Sequence, residues 1–121
     1  ETMAIANFSH ALQFMEKLKS IGCRFALDDF GSGLSSFSYL KYLPFDFLKI
    51  DGSFIKNVTE NKIDSTMVKT INTVAHLMGI QTIAEFVESQ VIQEKLQFIG
   101  VDYMQGFWIA KPAPLRKLDL R

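Results

Sequence analysis

The sequence predicts a parallel β/α protein. Two observations carry this: helical and strand-like periods alternate four times, and short connections separate them. Two architectures fit the pattern, an open doubly wound sheet and half of an eight-stranded barrel. A complete barrel takes roughly 250 residues, and this chain has 121.

The elements follow in order. Ala11, Leu12, Phe14, Met15 and Leu18 recur at helical spacing until Ile21-Gly22 stops the helix. The apolar run Cys23-Arg24-Phe25-Ala26-Leu27 reads as a buried strand, with Cys23 a small buried hydrophobe inside it. A short helix over Ser35–Tyr42 ends at Leu43-Pro44, and Phe45–Ile50 is the second strand. After a loop at Asp51-Gly52, a helix spans Asp64–Met78 on the apolar face Val68, Ile71, Val74, Ala75 and Met78, capped by Gly79. Gln81–Ala84 is the third strand, Ser89–Phe98 a helix ended by Gly100, and Val101–Tyr103 a short fourth strand. The prolines of Lys111-Pro112-Ala113-Pro114 cannot extend a ladder and mark the end of the unit.

Composition narrows the function classes. At 48% hydrophobic residues the chain can build one core, and its 13 basic and 13 acidic residues cancel. No global basic field draws it to DNA or RNA. The single cysteine excludes an internal disulfide and fits a reducing, cytoplasmic setting. No apolar run approaches the ~18 residues of a membrane span, so no direct membrane contact is expected of this segment. The chain opens at Glu1, without methionine, directly before helical sequence. It is expected to be a fragment.

The strand ends carry the chemistry. The first closes in Asp28-Asp29, the second in Lys49-Ile50-Asp51; Glu85 and Glu88 follow the third, and Gln105-Gly106 trails the fourth. In parallel β/α folds these ends share one rim, where ligands bind. Adjacent carboxylates repel, and a hard divalent cation between them removes that cost. The set suits a metal-phosphate assembly, with lysine and glutamine as donors. Each residue also has a bland reading: Asp29 as a turn or cap former, Lys49 as a snorkelling surface residue, Asp51-Gly52 as a turn. The coincidence of four polar strand ends favours function. Other patterns are weak. Asp29-Phe30-Gly31 copies a kinase triplet without its catalytic loop, and Gly31-Ser32-Gly33 lacks the third glycine of a dinucleotide fingerprint. His10 and His76 read as ordinary helix residues, and Phe107-Trp108-Ile109 as a buried run.

Four segments together resemble the EAL domain family: residues 26–36 (ALDDFGSGLSS), 48–55 (LKIDGSFI), 84–88 (AEFVE) and 102–107 (DYMQGF). That family contains bacterial cyclic di-GMP phosphodiesterases of second-messenger signalling. The resemblance covers the chain as the C-terminal half of the domain, residues 1–121, and implies half of a TIM-like barrel. Its enzymes use two Mg²⁺ or Mn²⁺ ions to hydrolyse cyclic di-GMP to linear 5′-pGpG. By resemblance, Asp28 bridges the metals, Asp29 binds the second, and Glu85 is a metal ligand also assigned as general base. Lys49 contacts the nucleophilic water or a phosphate. Gln105 holds the metal-bound water and substrate phosphate, and Glu88 supports the site. Phe30, Gly31, Ser32, Gly33, Ser35 and Ser36 fall in the family's mobile loop, anchored by Glu1.

The departures shape the expectation. The Glu-Ala-Leu motif itself, a metal-binding asparagine and the first glutamate of Glu-x-Thr-Glu would all precede Glu1, and Phe86 replaces a frequent glycine. The parent protein is therefore expected to be the enzyme and this fragment alone to be inactive. The alternative is a degenerate EAL-type receptor or regulatory domain. A half-barrel leaves two sheet edges and an apolar face open, so self-association is also expected.

Overall fold

The computed structural model describes residues 2–31 and 37–106, with side chains from residue 8 onward. In chain order the elements are α1 (Thr2–Lys19), β1 (Ala26–Phe30), α2 (Phe37–Tyr42), β2 (Phe47–Ile50), α3 (Gly52–Lys56), α4 (Lys62–Leu77), β3 (Gln81–Ala84), α5 (Gln90–Ile99) and β4 (Tyr103–Met104). Local chemistry sets the helix limits. The Asn61 side chain accepts from Asp64 N–H at 3.0 Å and the Ser89 hydroxyl from Ile92 N–H at 3.2 Å, starting α4 and α5. Gly100, at φ 99°, ends α5 in a left-handed cap.

The strands form one parallel sheet in the order β1-β2-β3-β4. A doubly wound sheet reverses its order at a switch point, whereas a barrel adds each strand beside the last. No reversal occurs among the described strands, which selects the barrel segment. One face, with Leu48, Ile50 and Ala84, packs on Ile55, Val68, Ile71, Ala75 and Leu96 in the core. The opposite face carries Phe47, Lys49 and Tyr103, with the Phe47 and Tyr103 rings 6.0 Å apart.

Several expectations need correction. The first strand is Ala26–Phe30, not Cys23–Leu27, so Asp28 and Asp29 lie within the strand, at its register break, rather than just past it. Cys23 is exposed, because the ladder with β2 starts only at Ala26↔Phe47. Phe30, expected in the loop, is the last residue of β1; it is buried and meets the Phe37 ring at 5.0 Å. Asp51-Gly52 opens a helix rather than a plain loop, since the Asp51 carboxylate accepts from Ser53 N–H at 3.3 Å. The second strand starts at Phe47 rather than Phe45, and the fourth is Tyr103–Met104 rather than Val101–Tyr103. Glu1, Ser32, Gly33, Ser35, Ser36, the 107–109 run and the Pro112–Pro114 tail lie outside the described residues.

Candidate functional site

On a regular strand, consecutive side chains point to opposite faces, so neighbouring aspartates should not share a site. Here the β1–β2 register breaks. Leu27 pairs with Leu48 and Phe30 with Ile50, leaving Asp28 and Asp29 opposite the single residue Lys49. This is a β-bulge, which re-aims side chains and recurs beside active sites. Asp29 adopts φ 50°, a left-handed conformation that short polar residues tolerate better than others.

The same device recurs at β3. The Gln105 N–H donates to Ala84 C=O and its C=O accepts from Val87 N–H, both at 2.8 Å, so Glu85 and Phe86 are bracketed by one residue. Phe86 takes φ 62°. Gly106 seals this bulge: a Cβ there would overlap the Val87 backbone. Two bulges, each closed by a left-handed residue, thus flank Lys49.

The bulges bring three acids together. Carboxylate oxygens of Asp28, Asp29 and Glu85 lie within 4.8 Å of one another. Lys49 Nζ lies 3.9 Å from Asp28 Oδ1, and its side chain is 27% exposed rather than free at the surface, because the stem lies on the sheet face. Burial pushes the Glu85 carboxyl above its ordinary value; Lys49 pulls it down, and Asp28, Asp29 and Asp51 push it up again. Among the described residues, the three clustered carboxylates and Asp51 outnumber the Lys49 charge acting with them on Glu85.

That donor set fits a hard divalent cation. Oxygen ligands on opposite sides of Mg²⁺ or Ca²⁺ lie roughly 4–5 Å apart, matching the 4.8 Å spread. Gln105 sits beside Glu85 through the two backbone bonds above. Glu88 stands apart from the acid triad, in a groove of about 410 Å³ lined also by Gly52, Ser53, Lys56 and Phe86. The left-handed Phe86 and the sealing role of Gly106 had no signal in the sequence pattern. Asp51 was visible as a turn residue at a strand end, but not as a helix cap or as a charge acting on Glu85.

Comparison with known proteins places this arrangement. The EAL domain model matches residues 1–112. The chain belongs to the EAL domain family. It is 50% identical, over 95% of its length, to the cyclic di-GMP phosphodiesterase PdeB of Shewanella oneidensis, of which it spans 13%. It superposes with TM-score 0.83 and 34% identity on the EAL domain of DcpA from Mycobacterium smegmatis, covering 92% of this chain and 50% of that one. Against the FimX EAL domain from Pseudomonas aeruginosa bound to c-di-GMP, the TM-score is 0.77 at 30% identity, with 88% of this chain and 43% of that chain covered. The chain is thus a partial EAL barrel, at most about half of these solved EAL domains. Among the described residues, no helix is long and apolar enough to cross a membrane.

Proposed function

We propose that the protein carrying this chain is a metal-dependent cyclic di-GMP phosphodiesterase acting in cytoplasmic second-messenger signalling. One observation carries the reading: the β1 bulge directs two adjacent aspartates to the same place as Glu85, with carboxylate oxygens within 4.8 Å. Nothing in strand packing asks for such an arrangement, whose mutual repulsion is costly without a cation. The named activity of PdeB supports the substrate.

In this reading Asp28, Asp29 and Glu85 hold Mg²⁺ or Mn²⁺, two ions in a complete site. Bound there, the ions supply Lewis acidity toward phosphate and a hydroxide at neutral pH. Lys49 orients the attacking water or a phosphate oxygen, its ammonium fixed near Asp28. Gln105 holds water and phosphate from the neighbouring rim position, and Glu88 supports the substrate. One P–O bond is cleaved: a water oxygen joins phosphorus, and the released 3′-oxygen takes a proton, giving 5′-pGpG.

The chain by itself is proposed to be inactive, since it carries about half of a solved EAL domain. Among the described residues β1 and β4 are the outer strands of the sheet, and such edges favour self-association of this half, which light scattering at micromolar concentration reads directly. The deciding experiment is Mn²⁺- or Mg²⁺-dependent conversion of cyclic di-GMP by the full-length protein. Binding without turnover at saturating metal would overturn the enzyme reading and establish a receptor.

A further inference from the structure

We infer that the groove between the first two turns of α4 and the middle of α5 is a binding site for a phosphoryl group, free or carried on a small organic molecule. It shares no residue with the acid cluster. The buried face of α4 runs Ser65, Val68, Ile71, Asn72 and Ala75. Two of these are polar, and they differ. Asn72 accepts from the Thr82 hydroxyl at 2.5 Å and donates to Ile99 C=O at 3.4 Å. Ser65 is only 8% exposed, yet among the described residues its hydroxyl makes no hydrogen bond. Taking a hydroxyl out of water without a partner is costly. Nor is it sealed in the core, because it faces a groove of about 300 Å³ that Ser65 itself lines. A partner for it has to come from that groove.

The charges around the groove name the partner. Lys62, Ser65 and Lys69 stand at i, i+3 and i+7 on one face of α4, and Lys95 approaches from α5. The chain as a whole balances 13 bases with 13 acids, but here three ammoniums meet one carboxylate, that of Glu60. Among the described residues none of the three lysines forms an ion pair. That is ordinary for Lys62 and Lys69, which are exposed, but not for Lys95, which is half-buried. The start of α4 adds to the same field. Asn61 Oδ1 takes the Asp64 N–H, while the Lys62 and Ile63 N–H groups have no helical acceptor. The Asp64 carboxylate shares that turn but does not line the groove. A phosphoryl group carries up to two charges and three acceptor oxygens, which suits convergent ammonium and hydroxyl donors better than a carboxylate does. The volume lies at the small end of ligand pockets.

The test is calorimetric titration of the full-length protein with inorganic phosphate and with glycerol 3-phosphate in EDTA, where the acid cluster holds no metal to bind either. Saturable binding of at least one is expected, and the tighter of the two says whether the groove takes the free ion or its ester. Lys95→Gln and Ser65→Ala are each expected to weaken it at least about 5-fold. Lys17→Gln, on α1 and outside the groove, should leave it unchanged. Ser65→Ala should also keep or raise Tm in phosphate-free buffer, because no bond within the fold is lost and alanine favours the helix. If Ser65→Ala does not fold, Lys69→Gln takes its place. No saturable binding of either probe at about 10 mM would overturn the assignment. So would unchanged affinity in both groove variants, equal loss in Lys17→Gln, a lower phosphate-free Tm in Ser65→Ala, or acetate binding as tightly as phosphate.

Discussion

The two ends of the sheet use the same residue types to opposite effect. At the N-terminal end each acid is surrounded by donors. Asp46 accepts from Lys19 Nζ and from Phe25 N–H, both at 2.8 Å. Asp102 accepts from Thr82 N–H at 2.8 Å and lies 2.6 Å from His76 Nε2, tying α4 to the start of β3. Thr82 passes the connection on to Asn72 at 2.5 Å. At the C-terminal end Asp28, Asp29 and Glu85 cluster, Lys49 lies near Asp28, and the Asp51 charge acts on Glu85 as well. One end pairs its acids with donors of neighbouring elements, and the other gathers acids beside one another. In barrels of this kind the first pattern serves stability and the second serves ligands.

Asp28→Asn breaks the comparison most sharply. Turnover by the full-length protein is expected to fall at least ~10³-fold, the several kcal/mol a correctly held metal supplies. The rise in Tm that Mn²⁺ produces should vanish with it, while Tm without metal is unchanged or higher. Loss of Mn²⁺-free stability instead would mean that the upper acids are structural.

Asp46→Ala is the mirror test, expected to cost about 2 kcal/mol for the loss of charge-assisted bonds, with Mn²⁺ binding intact. Its pH dependence has a definite sign. Burial acts to raise the Asp46 carboxyl, but the Lys19 and Phe25 hydrogen bonds and the Lys19 and Arg24 charges outweigh it and hold it below its ordinary 3.8. A depressed carboxylate stabilises the fold above its ordinary value and loses that contribution as pH falls through the depressed one. Thermal unfolding of the wild type should therefore drop as pH falls below 3.8, more steeply than that of Asp46→Asn.

Glu85→Gln gives the smallest effect and the opposite sign. Removing one charge from the crowded cluster is expected to raise metal-free stability by about 0.5 kcal/mol, a modest figure because the group is partly solvated. Differential scanning calorimetry in EDTA reads it. A fall in Tm would show that Glu85 is held by favourable contacts like those of Asp46.

The regular parts of this fold were legible because their signals are local. Gln81–Ala84 is bounded by Gly79 on one side and Glu85 on the other, and it forms as expected. Asn61, Ser89 and Gly100 supply cap chemistry at the ends of α4 and α5. The identities of the site residues were legible too, since acids at strand ends are unusual enough to notice. Their geometry was not. A bulge depends on how β1 registers against β2, and no residue within 26–30 encodes that pairing alone. The same non-locality displaced β1: Cys23–Leu27 has strand composition, but Phe25 gives its backbone to Asp46 at the sheet's lower edge. Helix α3, five residues long, is too short to show a period.

The ring of Phe86 resting on Gly52 has a consequence for how this sequence can change. The two positions are 34 residues apart in the chain yet compete for one volume, so a side chain at 52 displaces the ring at 86. Gly52→Ala requires the Phe86 ring to shift as long as the phenylalanine is present, and needs no such shift once position 86 is glycine. The easier order is for position 86 to shrink first. Relatives should therefore divide into those with a ring at 86 over a bare backbone at 52, and those with glycine at 86 and freedom at 52, with few in between.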